Sequence, residues 1–104
     1  MLRRVIGDDA KLRAEVLTGF VRINAPIVEK LERLAGSKDY PAIGALAHRL
    51  LGSARTSGAH ALAHSLERLE TGAAHRDGGV IEAQTRIAAG EMARVREYVA
   101  KACA

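Results

Sequence analysis

The sequence predicts an all-α fold, namely four helices packed as an antiparallel up-and-down bundle. Hydrophobic residues make up 48% of the 104 residues but aromatic ones only 3%, and the abundance of alanine, leucine, arginine and glutamate favours helix over strand. Apolar residues recur at helical spacing. Helix-breaking residues divide the chain at three places, which leaves short connections between the predicted helices. Short connections make successive helices antiparallel. A single domain over residues 1–104 is expected.

The first helix is expected to begin near Asp8 and Asp9, either of which can cap it. Gly36 is expected to end it. Pro26 lies within it, and because proline lacks a backbone N–H, a kink or a break into two helices is expected there. The apolar stripe predicted to face the core comprises Leu12, Val16, Phe20, Ile23, Ile27, Leu31 and Leu34.

The remaining three helices are marked by clear start and stop signals. The second is expected to begin between Asp39, a candidate cap, and Pro41, which the first turn tolerates, and to end near Ser57, before Gly58. The third is predicted over 59–74, with one apolar face formed by Leu62, Leu66 and Leu69. Residues 76–79 (Arg-Asp-Gly-Gly) precede the last helix. Its predicted inward residues are Ile81, Ala88, Met92, Val95 and Val99.

Charge and cysteine content restrict the function classes. The net charge of +4 would permit nucleic-acid binding, but the 16 basic residues are interleaved with 12 acidic ones, which favours a solvated surface. Cys103 is the single cysteine, so no disulfide forms within the chain, as suits a reducing compartment. No apolar run is long enough to span a bilayer, and no signal-peptide pattern is present. A cytoplasmic protein, or the cytoplasmic portion of a membrane-bound one, is expected.

His48 is the candidate functional residue. At 100° per residue, the apolar residues of the second helix share one side and His48 points away from them. Its neighbours on that face are Gly44, Ala45, Gly52 and Arg55. Each glycine inside a helix lowers helix stability by about 1 kcal/mol relative to alanine. One sufficient reason for glycine here is that it leaves room for the surface of another protein to reach His48. Leu51, at the edge of the face, is expected to add an apolar docking contact.

An exposed imidazole suits phosphoryl transfer. Much of it is unprotonated near neutral pH, so a ring nitrogen can accept a phosphoryl group and release it. Arg55, two turns on, is a candidate to stabilise the phosphate, and Arg49, about 100° round the helix, is a weaker one. No carboxylate lies one or two turns from His48 on its helix, which favours a carrier over a stand-alone enzyme. From the residues alone, an ordinary surface histidine without a function remains an alternative interpretation of His48.

Residues 47–54 (AHRLLGSA), followed by Gly58-Ala59, resemble the signature of histidine phosphotransfer (HPt) domains, a run AHxLKGSA with GA soon after. Residues 17–20 resemble the family's L-x-x-F element, and Asp39 stands where the family often has an aspartate. The third helix resembles the family's L…LE pattern through Leu62, Leu66, Leu69 and Glu70. The resemblance covers roughly residues 8–75, and the last helix fits by architecture only.

The resemblance implies a four-helix bundle in which His48 is phosphorylated at Nε2. It implies phosphoryl exchange with aspartates in the receiver domains of a hybrid sensor kinase and a response regulator. The receivers bring Mg²⁺, and the domain itself is expected to hold no metal or other cofactor. Such modules occur alone or at the C-terminal end of hybrid sensor kinases, and this chain resembles the second kind, cut out as a domain and monomeric when isolated.

Two departures from the family pattern keep alternatives open. The family usually has lysine three residues after the histidine, where this chain has Leu51, so Arg55 or Arg49 is hypothesised to replace it. Ser57 stands where an apolar residue is common.

Two other functions compete with phosphoryl transfer. The first is a non-catalytic helical interaction domain, a pseudo-HPt; the second, a nucleic-acid-binding bundle, is disfavoured by the alternating charges. A zinc site at His60 and His64 would need further ligands, and Glu67 and Glu70 are expected to be solvated.

Overall fold

Four helices joined by short connections form the fold. The computed structural model describes the backbone of residues 2–102 and the side chains of residues 9–102. The helices are α1 (Leu2–Leu34), α2 (Tyr40–Ser57), α3 (His60–Ala74) and α4 (Gly78–Ala102), with no strand in this part of the chain. Each helix packs against the next, and α4 packs back against α1. The predicted all-α, antiparallel up-and-down four-helix bundle is confirmed.

The first helix is longer and more continuous than predicted. It begins at Leu2, so the expected start at Asp8 and Asp9 is wrong and both lie inside the helix. Aspartate disfavours a helix interior only slightly, so the helix can continue through both residues. Of the two expected alternatives at Pro26, a kink or a break into two helices, the break does not occur, because α1 continues through this residue to Leu34. Proline removes a single backbone hydrogen bond, and the packing of α1 against α2 and α4 supports both halves.

The buried side of α1 differs from the predicted stripe. The structure buries Phe20 and Leu31 and half buries Ile27 and Leu34. The other members are exposed, at 58%, 44% and 65% of their surface: Leu12, Val16 and Ile23. Within residues 9–34 the buried residues are Ala14, Leu17, Phe20, Asn24, Val28 and Leu31. The inward side is rotated relative to the predicted stripe, so it includes Leu17 and Val28. It also includes an alanine and an asparagine, which a pattern of large apolar side chains leaves out.

A buried amide links α1 to α2. Asn24 is only 4% exposed. Its Nδ2 donates to the carbonyl oxygen of Phe20, one turn back, and to Oγ of Ser53 on α2, both at 3.0 Å. Both donors of the amide therefore have partners, which removes the cost of burying it. Because Ser53 follows the candidate site on α2, this bond fixes the register between that helix and α1.

The ends of α2 form as their residues predict. Asp39 caps the helix, accepting a hydrogen bond from the backbone N–H of Ala42 at 3.2 Å, and Pro41 lies in the first turn. At the other end Gly58 has φ 79°, and its N–H bonds to the carbonyls of Ala54 and Arg55. This left-handed conformation is one that glycine adopts without a Cβ clash. The position of the site helix along the chain is thus determined by local sequence.

The predicted inward faces of α3 and α4 are largely confirmed. Leu62, Leu66 and Leu69 are at most 1% exposed. On α4 the buried residues among those predicted are Ile81, Ala88 and Met92, while Val95 and Val99 are half-buried. Gln84 and Thr85 are buried as well, which the pattern did not predict, and Oγ1 of Thr85 has no hydrogen-bond partner among the described residues. Within residues 2–102 no helix combines the length and apolarity needed to cross a bilayer.

The turn between α3 and α4 depends on a close approach at Gly72. A Cβ placed on Gly72 would lie 2.8 Å from Cγ1 and 3.2 Å from Cβ of Val80. Asp77 caps α4, its Oδ1 accepting from the N–H of Val80 at 3.1 Å. The cap sets the start of α4 at Gly78, two residues earlier than expected. Only a residue without a side chain at 72 allows the two helices to meet this closely.

Replacing Gly72 with alanine is expected to lower the free energy of unfolding by about 1–3 kcal/mol, the usual cost of overpacking. The added methyl would overlap Val80, whose branched side chain is stiff at χ1. Gly90→Ala on α4 is the matched control, because a Cβ placed on Gly90 would have no neighbour within 4 Å; alanine there should stabilise the protein by up to about 1 kcal/mol. Urea unfolding measures both, and a Gly72→Ala protein as stable as the parent would contradict the close approach.

Candidate functional site

The imidazole of His48 stands clear of the bundle core. The residues of α2 that are buried are Ile43, Ala47, Leu50, Leu51 and Ala54. These lie on the inward arc of the helix, whereas the side chain of His48 is 75% exposed. The exposure predicted from helical periodicity is therefore confirmed, and the ring is accessible to another protein.

A carboxylate from the neighbouring helix holds one ring nitrogen of His48. Nδ1 of His48 lies 2.9 Å from Oε2 of Glu70 on α3. An ionised carboxylate can only accept a hydrogen bond, so Nδ1 must donate it through its N–H. In the neutral ring this tautomer leaves Nε2 unprotonated, with a lone pair. The contact thus leaves Nε2 as the ring nitrogen with a free lone pair.

Sequence reasoning missed this role of Glu70. The helix of His48 carries no carboxylate one or two turns away, and the sequence predicts that Glu70 is solvated. The available signal was the register of the helical hairpin: His48 lies ten residues before Gly58, and Glu70 lies eleven after Ala59. In an antiparallel pair with a two-residue connection, positions equally far from the turn come side by side. The carboxylate is therefore supplied by tertiary structure.

Arg55 lies on the same flank of α2 but contacts a different residue. Its Nη2 lies 3.1 Å from Oε2 of Glu67, and the two side chains are 59% and 62% exposed. Seven residues of helix separate Arg55 from His48, or about 10 Å along the axis. Arg49 is exposed and lies about 100° round the helix from His48. The structure brings neither arginine into a described contact with the imidazole.

Leu51 does not belong to the exposed face. It is only 3% exposed and packs within the hydrophobic core. The predicted docking contact is wrong because α2 packs against both α1 and α3. Its buried arc is consequently broad enough to include both Leu50 and Leu51, which are 100° apart. The position where HPt domains usually carry lysine is thus part of the core here and supplies no charge.

The small residues around His48 divide into two groups. Gly52 and Ala45 are exposed, and nothing lies within 4 Å of a Cβ placed on Gly52, so the surface there is bare as predicted. Gly44 differs, because it is half-buried and faces α3, and a Cβ placed on it would lie 3.5 Å from Cβ of Ala73. The expectation that Gly44 lies wholly on the open face is wrong. It lies at the seam between the two helices.

An open groove of about 580 Å³ follows this seam away from His48. We call it the α2–α3 groove; it is lined by Lys38, Tyr40, Pro41, Gly44, Ala45, Glu70, Ala73, Ala74 and Arg76. Its middle consists of glycine and alanine, and two cationic side chains lie among its lining residues. Because Glu70 both lines the groove and contacts His48, the groove is continuous with the histidine site.

Other candidate ligands do not assemble into a metal site in the described part of the chain. No group of three or more histidine, cysteine, aspartate or glutamate side chains there could hold a metal ion. His60 and His64 are both exposed on α3. Cys103 lies outside the described residues.

Comparison with known proteins agrees with this geometry. The family model named Hpt domain matches residues 15–103. The match includes α2, α3 and the last helix, for which the sequence resemblance offered architecture only. No curated protein and no solved structure matched. With a matching family model over most of its length and an exposed histidine at the signature position, the chain belongs to the histidine phosphotransfer (HPt) domains, the phosphorelay modules of two-component signal transduction.

Proposed function

We propose that this domain is a phosphorelay intermediate that accepts a phosphoryl group on Nε2 of His48. The donor would be the aspartyl phosphate of one receiver domain, in a hybrid sensor kinase, and the acceptor an aspartate in a second receiver, in a response regulator. The observation that supports it most directly is the contact between Nδ1 of His48 and Glu70 on a ring that is 75% exposed. This arrangement supplies a nucleophile of defined tautomer on an accessible surface.

The chemical step uses few groups of this chain. The lone pair of Nε2 attacks the phosphorus atom, the N–P bond forms, and the P–O bond to the aspartate breaks, with its electron pair remaining on the departing carboxylate. No proton has to leave Nε2. The proton on Nδ1 stays in its hydrogen bond to Glu70, whose negative charge offsets the positive charge that develops on the ring. Transfer to the second receiver is the reverse of this step.

The receiver supplies the remaining requirements in this proposal. It holds the Mg²⁺, and the domain described here brings no cofactor of its own. Neither nucleic acid nor a lipid surface is a partner, and the isolated domain is proposed to act as a monomer. The domain is proposed to act in the cytoplasm, either as a free protein or as the cytoplasmic portion of a membrane-bound sensor kinase.

Labelling with phosphorylated receivers tests the proposal. The domain is incubated with a panel of ³²P-labelled receiver domains and examined for label that is stable in alkali and labile in acid, as expected of phosphohistidine. Appearance of such label, with loss of label from the receiver, supports the relay function. Absence of label with every receiver favours the pseudo-HPt alternative, in which the fold serves binding alone. The burial of Leu51, which leaves no charge at the position of the family's lysine, favours that alternative.

Arg55 is the proposed substitute for the family's lysine, and Arg55→Ala tests it. Its ion pair with Glu67 is exposed and therefore weak, so Arg55 can leave Glu67 for a phosphate at little cost. We expect Arg55→Ala to slow transfer or shorten the lifetime of the phosphorylated domain, by roughly threefold to tenfold for one charge-assisted contact. Arg49→Ala is the parallel test of the second candidate. An unchanged rate and lifetime in Arg55→Ala would reject the substitution hypothesis.

A further inference from the structure

The α2–α3 groove contains two cations that the phosphoryl-transfer chemistry does not use. Lys38 precedes α2, and Arg76 follows α3. Both are exposed and both line the groove. Within residues 9–102 neither side chain makes an ion pair, which is also true of most other basic residues there, so what distinguishes these two is that they line the groove beside His48. The groove therefore offers two positive charges without a described partner.

The carboxylates next to these cations in the sequence are already engaged. Asp39 follows Lys38 and accepts from the backbone N–H of Ala42, capping α2. Asp77 follows Arg76 and accepts from the N–H of Val80, next to the start of α4. Glu70, the one acidic residue among those that line the groove, contacts His48. Each nearby negative charge thus has a structural role, and the two cations remain available for an anion from outside.

Arg76 also occupies a backbone conformation that arginine disfavours. Its φ is 53°, and it is the single non-glycine residue with positive φ in the described part of the chain. In the left-handed region the Cβ approaches the following carbonyl oxygen, so glycine or asparagine is less strained there. This conformation closes the end of α3, where the N–H of Arg76 bonds to the carbonyl of Ala73 at 3.2 Å and the N–H of Asp77 to that of Gly72 at 2.9 Å. Glycine would close the helix with less strain, so replacing Arg76 with glycine removes the guanidinium without disturbing the turn.

We propose that the α2–α3 groove docks the receiver domain by taking an acidic side chain between Lys38 and Arg76. This inference rests on the proposed function, since the receiver is the partner that must reach His48. The glycine and alanine surface of the groove admits the partner closely, and the two cations select receivers with a carboxylate beside their phosphorylation site. Charge complementarity of this kind acts mainly on association rate and partner choice.

Arg76→Gly separates docking from folding. Glycine relieves the left-handed strain, so the melting temperature is expected to stay the same or rise. The same change removes the guanidinium, and kcat/KM for transfer from the receiver that labels the parent domain should fall by about threefold to tenfold, through KM and with kcat at saturation retained. Lys38→Ala should act in the same direction. Added salt should reduce the difference between parent and variants.

Arg96→Ala is the matched control, because Arg96 is an exposed cation on α4 outside the groove. It should leave kcat/KM unchanged. Transfer at the parent rate in both Lys38→Ala and Arg76→Gly would overturn the docking proposal while leaving the relay function intact. An equal loss in Arg96→Ala would also overturn it, because net charge rather than the groove would then be the cause. If the parent domain acquires no label from any receiver, the relay function itself fails.

Discussion

Replacing His48 with glutamine is expected to abolish acid-labile labelling of the domain by phosphorylated receivers. The amide of glutamine has no lone pair of comparable nucleophilicity, whereas Nε2 of His48 is the unprotonated ring nitrogen when Glu70 holds Nδ1. Because the side chain of His48 is 75% exposed, its replacement should change the free energy of unfolding by no more than about 0.5 kcal/mol. Labelling is followed by gel autoradiography, and stability by thermal unfolding.

His60→Gln is the control for this experiment. His60 is also an exposed histidine, at the start of α3, and it takes no part in the proposed site. Its variant should be labelled like the parent. Label that persists in His48→Gln would move the phosphorylation site to another residue, and equal loss in both variants would point to a non-specific effect on the fold.

Replacing Glu70 is expected to have the second largest effect on transfer. With alanine at this position the neutral ring of His48 is free to place its proton on either nitrogen, and the charge that develops during attack is no longer offset. We expect Glu70→Ala to slow phosphorylation of His48 on the order of tenfold or more. Glu70→Gln retains a hydrogen-bonding side chain without the charge, so it should lie between the parent and Glu70→Ala.

Two further measurements distinguish a positioning role of Glu70 from a structural one. The ¹⁵N chemical shifts of His48 report which ring nitrogen carries the proton, and Glu70→Ala should shift them from the Nδ1–H form towards a mixture. Glu67→Ala, one turn earlier on α3, removes a carboxylate that contacts Arg55 instead, and it should leave these shifts unchanged. A Glu70→Ala domain with parental transfer rate and parental ¹⁵N shifts would refute the positioning role.

Much of the fold follows from local sequence. The ends of α2 are set by Asp39 and Gly58, whose side chain and backbone conformation act on neighbouring residues only. The exposure of His48 follows from helical periodicity, because five residues on the other side of α2 are buried. At α2, interactions between residues close in the sequence were predicted correctly, whereas the starts of α1 and α4 were not.

Tertiary structure decided the features that depend on which helices become neighbours. The inward side of α1 includes Asn24 because Ser53 of α2 offers its amide a partner. Leu51 is buried because α2 packs against two helices.

The chemistry of the site likewise depends partly on local sequence and partly on the packing of the helices. The sequence by itself determined that a helix carries an exposed histidine with little around it. Only the packing of α3 against α2 brought the carboxylate of Glu70 within 2.9 Å of Nδ1. Periodicity describes one helix at a time, whereas a contact between side chains of two helices depends on their register and separation, which the assembled bundle sets.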